Sequence, residues 1–573
     1  MRFKNFFIGA QIATAALASP LNQTWDYIVV GSGAAGIPLA DKLSESGKSV
    51  LLIERGWPST GRWGGTRRPA WLEGTNLTRF DVPALYQYVW GAYPENEGIW
   101  CQDYSAPASC ILGGGTAINA AEYYLPHEDD FDLHQPPGFR SKDIRSATSR
   151  LAARIPWTSF PSADGKSYLT NGSQIALDAL TSRSLPNPYP LISANSRPNS
   201  KSHHLTLAQY FLRNGERSGP LATYLVTASS RPNFRLLMNT MVSRAVRSGS
   251  TVTGVNVEST GPGGFNGTIN LNPKGGRLIL SAGVFGSSKI LFRSGIGPRD
   301  QLAIVQSSTD APYLPKSKDW IELPIGQDLD DAPAIQLGVR KDDIGSFDFD
   351  AVYNNPIEAD KKLYLEKRSG PLAMIQPSLG PTFWDEIKGD DKNVRRILWN
   401  VGTGRVDIGG GQLAGVIGFA SSLKSGKTSR GRLGITSTLF MNVTKTPYFN
   451  DAGDHDFKAL NKSASAVLEI MKTIKGAELF LPPSGVPLEL YLREAIRTTP
   501  FLSSNHWVGS AHMSASCKDP KAVVDATTKV CGTKNLHVVD AGVINGVPAA
   551  NPQAVFMVVA EKAAEVILGL GRY

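Results

Sequence analysis

No apolar stretch in the 573-residue chain reaches the ~20 residues that a membrane-spanning helix requires, so no membrane partner is expected. Cysteine is scarce, four in all. No Cys-x-x-Cys occurs and no histidine stands at ligand spacing, which sets a zinc site aside. Lys and Arg never gather into a run interleaved with aromatics. A formal charge of +9 and a pI near 9.2 therefore describe an ordinary basic surface and imply no nucleic-acid partner. No internal repeat is visible, which excludes solenoid architectures. The segment His127-Glu-Asp-Asp-Phe-Asp-Leu-His134 has the residue types of a metal cluster. Its acids alternate without one-sided spacing, so a solvated loop and no metal are expected there.

What is present describes an ordered enzyme. Apolar residues make up 41% of the chain, and 57 glycines imply many tight turns, which argues against disordered and fibrous classes. The length exceeds a single core, so two intertwined domains are expected. Residues 1–18 read as a signal peptide: Arg2 and Lys4 precede an apolar run from Phe6 to Leu17, and Ala16-Leu-Ala18 offers small residues for cleavage. The sequons at Asn22, Asn76, Asn171, Asn266, Asn442 and Asn461 fit a secreted, extracellular glycoprotein. In that oxidising setting Cys101 with Cys110, and Cys517 with Cys531, form the simplest disulfides, although four cysteines allow three connectivities.

The strongest local signal lies near the N-terminus. Tyr27-Ile-Val-Val30 is a short β-rich run, Gly31-Ser-Gly33-Ala34-Ala35-Gly36 is a glycine turn, Ile37 to Ser46 has helical periodicity, and Ser49 to Glu54 is a second buried strand ending in an acid. This is a complete βαβ dinucleotide fingerprint. Gly31 permits the turn, Gly33 admits a pyrophosphate to the backbone, Gly36 packs helix on strand, and Glu54 is placed for ribose hydroxyls. A glycine-dense loop, Gly113-Gly114-Gly115-Thr116-Ala-Ile-Asn119, could approach a flat ring closely. Further on, Arg277-Leu-Ile-Leu reads as a strand entering the turn Ser281-Ala282-Gly283, followed by a helix. Asn535 to Asp540 reads as another strand, leading to Ala541. At the other end of the chain stand Ser504-Asn505-His506-Trp507 and Asn551-Pro552-Gln553.

These segments, in this order from about Trp25 to the end, resemble the glucose-methanol-choline (GMC) oxidoreductases, FAD enzymes that oxidise alcohols. Within that family the likeness is greatest to the flavodehydrogenase domain of fungal cellobiose dehydrogenases, carried by Gly219-Pro-Leu-Ala-Thr-Tyr, Ile290 to Pro298, Ser429-Arg-Gly-Arg-Leu-Gly-Ile435, Ser504 to Val508 and the Cys101 to Cys110 loop. The resemblance implies an α/β (α+β) fold, with a Rossmann-like FAD-binding domain and a discontinuous substrate-binding domain built on an antiparallel sheet. The FAD domain is expected from residues 25–124, 226–326 and 505–573. Cap and substrate elements are expected from 125–225, and the main substrate domain from 327–504. Residues 184–202, rich in Pro and Ser, read as a surface loop. The chain is expected to carry neither a haem domain before the fingerprint nor a cellulose-binding module after Tyr573, and residues 340–425 depart from those relatives.

By the same resemblance, the FAD contacts add Arg55, Val242 (on an adenine-side strand from Asn239), Asp540, Ala541, Pro552 and Gln553 to the fingerprint and the glycine loop. Ser504, Asn505 and Arg405 are expected to meet the substrate. Removing a hydroxyl proton while a hydride leaves the same carbon suits an imidazole base, so His506 is expected as the base, and Asn551 as the amide that holds the hydroxyl. His512 and His537 gain no such support. Asn551 is also expected to cap a helix from Pro552 to Leu568, whose positive end would favour an anionic ring. The leading expectation is oxidation of a sugar or oligosaccharide at its anomeric carbon, with a quinone, oxygen or a redox protein as electron acceptor. A non-sugar alcohol or a lactol of secondary metabolism is the alternative on the same scaffold, and a non-redox flavin-bound cyclase or binding protein the alternative of another class.

Overall fold

The computed structural model describes residues 23–345, 347–375, 380–407, 413–498 and 502–572. The expected signal peptide and the Asn22 sequon lie outside the described residues. Five parallel strands form the first layer, in the order Leu536–Val538, Arg277–Leu280, Tyr27–Val30, Val50–Ile53 and Phe234–Leu237. Their continuous apolar runs, without alternation, are what a sheet covered on both faces requires, and the Tyr27–Val30 and Val50–Ile53 strands are buried at every residue. The helix Gly36–Ser44 packs against this sheet and, on its other side, against the helix Gln553–Gly569. Three distant stretches of chain therefore meet in one sheet. A four-stranded sheet of Thr24–Trp25, Gly267–Leu271, Thr251–Ser259 and Thr240–Ser248 flanks it.

The second layer is a six-stranded antiparallel sheet, in the order Glu478–Leu481, Ala334–Arg340, Leu413–Leu423, Val394–Asp407, Pro381–Lys388 and His204–Leu207. Its two faces separate with a period of two. Trp399, Val401, Ile417 and Phe419 enter a core with Phe457 and Val467 of the helix His455–Lys472. Asn400, Gly402, Gly404, Val416, Gly418 and Ala420 face a cavity on the opposite side. This second face carries small side chains and a single amide, so it leaves room where the first face fills it.

Several local expectations change in the folded chain. The first helix begins at Gly36 and ends at Ser44, and the last strand of the parallel sheet is confined to Leu536–Val538. Segment 184–202 has neither helix nor strand, yet it is not all surface. Tyr189 is buried and donates to Asp385 Oδ1 at 2.6 Å, and the buried Lys201 donates to the carbonyls of Leu125 and Pro198 at 2.8 and 2.6 Å. Segment 127–134 is not a solvated loop either. It holds a short helix, Asp129–Asp132, and buries His127, Asp130 and Phe131. Its carboxylates serve the backbone: Asp130 accepts from His127 N at 2.9 Å and from Ala549 N at 2.7 Å, which fastens the chain two residues before Asn551. Both expected disulfides, Cys101–Cys110 and Cys517–Cys531, are present. The sequon asparagines 76, 171, 266 and 442 are exposed and Asn461 is half-buried.

Candidate active site

One cavity of about 780 Å³ runs between the two sheets and gathers residues from both ends of the chain. At its nucleotide end the fingerprint glycines do different work. A Cβ on Gly31, whose φ is +100°, would meet Ser281 O at 2.4 Å; one on Gly36 would meet Gly31 O at 1.8 Å. A Cβ on Gly33 would meet nothing within 4 Å, because that residue faces the open cavity together with Ala34 and Ala35. Gly36 itself lies behind the lining, where it lets the helix close on the turn. Glu54 is buried and held in place: Oε2 accepts from Ser32 N at 3.0 Å and Ser32 Oγ at 2.6 Å, and Oε1 from Gly56 N at 2.8 Å. A carboxylate has about four acceptor positions, so one remains for a ribose hydroxyl. Arg55 shares Asp103 with Lys289, at 3.2 and 2.6 Å.

Gly114, Gly115, Thr116 and Asn119 line the middle of the cavity, with Val242, Ala282, Gly283, Asp540 and Ala541 around them. Gly113 stands behind that lining, at φ +94°, where a Cβ would strike Leu221 at 2.7 Å. Asp540 ties the loops together by accepting from Gly283 N, Ser287 Oγ and Gly542 N at 3.0, 2.5 and 2.8 Å; burial pushes its carboxyl up to about 6. Helices begin at Gly36, Gly115, Gly283 and Gln553 beside this cavity, and none has a side-chain cap or an acid in its first turn. At Gly283 the first N–H is already given to Asp540; at the other three starts the positive dipole ends favour anionic groups, which fits a pyrophosphate and a flavin ring that becomes negative on reduction.

Ser504, Asn505, His506, Asn551, Pro552 and Gln553 line the far end of the same cavity. Two of these positions correct the sequence reading. Pro552, not Asn551, is the N-cap of the last helix, and it makes no side-chain cap bond. The Asn551 carboxamide is committed elsewhere: Nδ2 donates to Glu122 Oε2 at 3.0 Å. Arg405 is exposed and outside the cavity lining. Strand parity explains it, since Asn400, Gly402 and Gly404 turn inward and an odd-numbered residue beyond them turns outward.

The site also contains groups that sequence reasoning missed. Glu122 is buried between Asn551 and Asn400, whose Nδ2 donates to it at 2.7 Å, and burial pushes its carboxyl up to about 7. Lys424, fully buried at the end of the Leu413–Leu423 strand, places Nζ 2.6 Å from His506 Nδ1; burial pushes its amine down to about 7. Enclosure, and then the neighbouring Lys424 charge, hold the His506 imidazolium well below its usual range. Asp331 accepts from His506 N at 2.6 Å and from Tyr448 Oη at 2.6 Å, which anchors the backbone of that segment. An acid amid Ala120-Ala-Glu122-Tyr-Tyr was a signal available in the sequence. Lys424 reads there as an ordinary lysine closing a strand.

Models of the GMC oxidoreductase family match residues 25–334 and 427–560. The chain belongs to this family. The GMC chain is 27% identical to the glucose-methanol-choline family oxidoreductase mfmG of Annulohypoxylon moriforme, covering 97% of this chain and 96% of that one. It is 26% identical to the oxygen-dependent choline dehydrogenase of Vibrio vulnificus, with 96% and 95% covered. Among solved structures, formate oxidase of Aspergillus oryzae superposes with a TM-score of 0.72 at 19% identity, covering 95% of this chain and 98% of that one; this likeness concerns the fold. The GMC chain is thus an oxidoreductase acting on alcohols with FAD as its cofactor, and the fingerprint, the Gly113–Asn119 loop and the uncapped helix starts are the residues that would hold it.

Proposed function

We propose that the enzyme is a secreted dehydrogenase that oxidises a sugar or oligosaccharide hydroxyl at the anomeric carbon, and passes the electrons to a quinone or another acceptor. The reading rests above all on the far end of the cavity, where a half-buried imidazole, His506, lines the same space as the Asn551–Glu122–Asn400 hydrogen-bonding array. Four polar side chains beside a floor of bare backbone at Gly402, Gly404 and Gly418 suit a flat, hydroxyl-rich ring. The likeness of Ser504 to Val508 and Ser429 to Ile435 to fungal cellobiose dehydrogenases supports the same substrate class. Secretion is supported by residues 1–18 and by the two disulfides.

FAD, when bound, supplies the acceptor for a hydride equivalent. His506 takes the hydroxyl proton. Asn551, one Nδ2–H fixed by Glu122, offers its other Nδ2–H to the hydroxyl oxygen, so the reacting carbon is held in one approach. The sheet wall and Trp507 border that end. Tyr86 and Trp90, which also line the cavity, favour an aryl or other non-sugar alcohol as the second reading.

Anaerobic bleaching of the flavin by cellobiose, xylobiose, glucose and aryl alcohols separates the two readings. No bleaching by any of them refutes oxidation of either class. His506→Ala is expected to keep its yellow colour and lose turnover by ~10²–10⁴-fold, the usual contribution of a positioned base. Unchanged turnover refutes the assignment of the base.

A further inference from the structure

We propose that Lys424 is the positioning residue of the base: its neutral side-chain amine accepts the Nδ1–H of His506, so that Nε2 presents a lone pair to the substrate hydroxyl, and it then holds the proton released in each turnover. The proposal rests on His506 being the base.

The surroundings of the amine carry the argument. Among the described residues three lysines are fully or nearly fully buried, and two of them are ringed by oxygens as ammonium groups should be. Lys427 reaches the carbonyls of Ser429 and Pro447 at 2.9 and 2.7 Å and Asp330 at 2.5 Å; Lys201 reaches two carbonyls. Among the described residues, the hydrogen-bond partner of the Lys424 amine is a ring nitrogen, His506 Nδ1, and no oxygen. An ammonium has three protons to place and no lone pair, whereas a neutral amine is a better acceptor than donor and an imidazole N–H a better donor than acceptor. A lone nitrogen partner at 2.6 Å therefore suits one shared proton, held on Nδ1.

The carboxyls facing the amine from neighbouring elements do not bond it. Asp331 serves His506 N and Tyr448, Glu122 serves Asn400 and Asn551, and Asp130 serves backbone N–H groups. The proton account is closed. The substrate O–H breaks as Nε2–H forms, Nδ1–H breaks as Nζ–H forms, and the electron pair of the C–H bond leaves for FAD, the oxidant. Lys424 ends as an ammonium donating to Nδ1 of a neutral, Nε2-protonated imidazole. The same state reached by acidification leaves no lone pair for the substrate, so acid inactivates the enzyme through about pH 7, where burial sets the Lys424 amine.

Ring-nitrogen NMR of ¹⁵N-histidine-labelled protein, with or without FAD, tests this; the His506 signals are those that vanish in His506→Gln. Nδ1–H is expected at about pH 8 and Nε2–H at about pH 6, with the change absent in Lys424→Met. In parallel, kcat/KM of the wild type falls below about pH 7. Lys424→Met loses that limb, with kcat lowered roughly 10–100-fold and KM little changed. Lys424→Arg, a permanent cation, stays inactive at every pH. One tautomer throughout in the wild type, or a wild-type limb in Lys424→Met, overturns the proposal; were the Lys424 variants not to fold, the wild-type spectra read against His506→Gln decide. If His506→Gln keeps turnover, the base assignment fails. If it is inactive while the Lys424 variants behave as wild type, this proposal alone fails.

Discussion

Glu122 gives the sharpest stability test of the site. Its carboxyl is raised by burial from 4.5 to about 7, and it accepts from Asn400 and Asn551 at 2.7 and 3.0 Å. A raised carboxyl favours the protonated, folded state. The stability it contributes is present below pH 4.5 and is lost as pH rises to about 7. The rise from 4.5 to about 7 corresponds to about 3 kcal/mol. Glu122→Gln removes this titration while keeping the shape. It also turns an NH₂ toward one of the two asparagines and forfeits one hydrogen bond, a cost of about 1–3 kcal/mol that does not vary with pH. The stability difference between variant and wild type should therefore change by about 3 kcal/mol between pH 4.5 and 8, in favour of the variant at the higher pH. Thermal or denaturant unfolding of the FAD-free proteins across that range measures it. A difference that stays flat with pH refutes the claim that burial governs this carboxyl.

Two further outcomes follow from the cavity walls. Gly36→Ala drives a methyl to 1.8 Å from the Gly31 carbonyl, so the turn must open; the protein is expected to lose FAD and about 1–3 kcal/mol or more of stability, read by absorbance and unfolding. Gly404→Leu meets no atom within 4 Å at Cβ and should leave the melting temperature unchanged, yet its side chain enters the substrate floor. kcat/KM should fall at least about tenfold for a disaccharide and little for a small alcohol, and equal losses for both would refute the floor as a size filter.

The site was legible in the sequence wherever its chemistry is local. The Gly31–Gly36 turn, the Gly113–Asn119 loop and the Ala282–Gly283 turn bend a few consecutive residues, and each stands on the cavity or directly behind it. His506 and Asn551 were singled out by the company they keep in sequence, and the fold brings both to one cavity. Arg405 was misjudged because the face a strand residue takes depends on the parity of the whole sheet, which no short stretch reveals. The Asn551 cap was misjudged because a carboxamide beside a helix start bonds whichever partner the fold delivers, and here that partner is Glu122.

Amino-acid order alone determined the βαβ grip and the family and favoured the two cysteine pairs, because each is written in residues close along the chain or in motifs whose order persists. Tertiary structure decided what surrounds the reacting groups. Glu122 and Lys424 lie 302 residues apart, and each is common in type. Only their removal from water, beside Asn551 and His506, shifts their protonation toward neutrality, and desolvation is a property of the assembled fold.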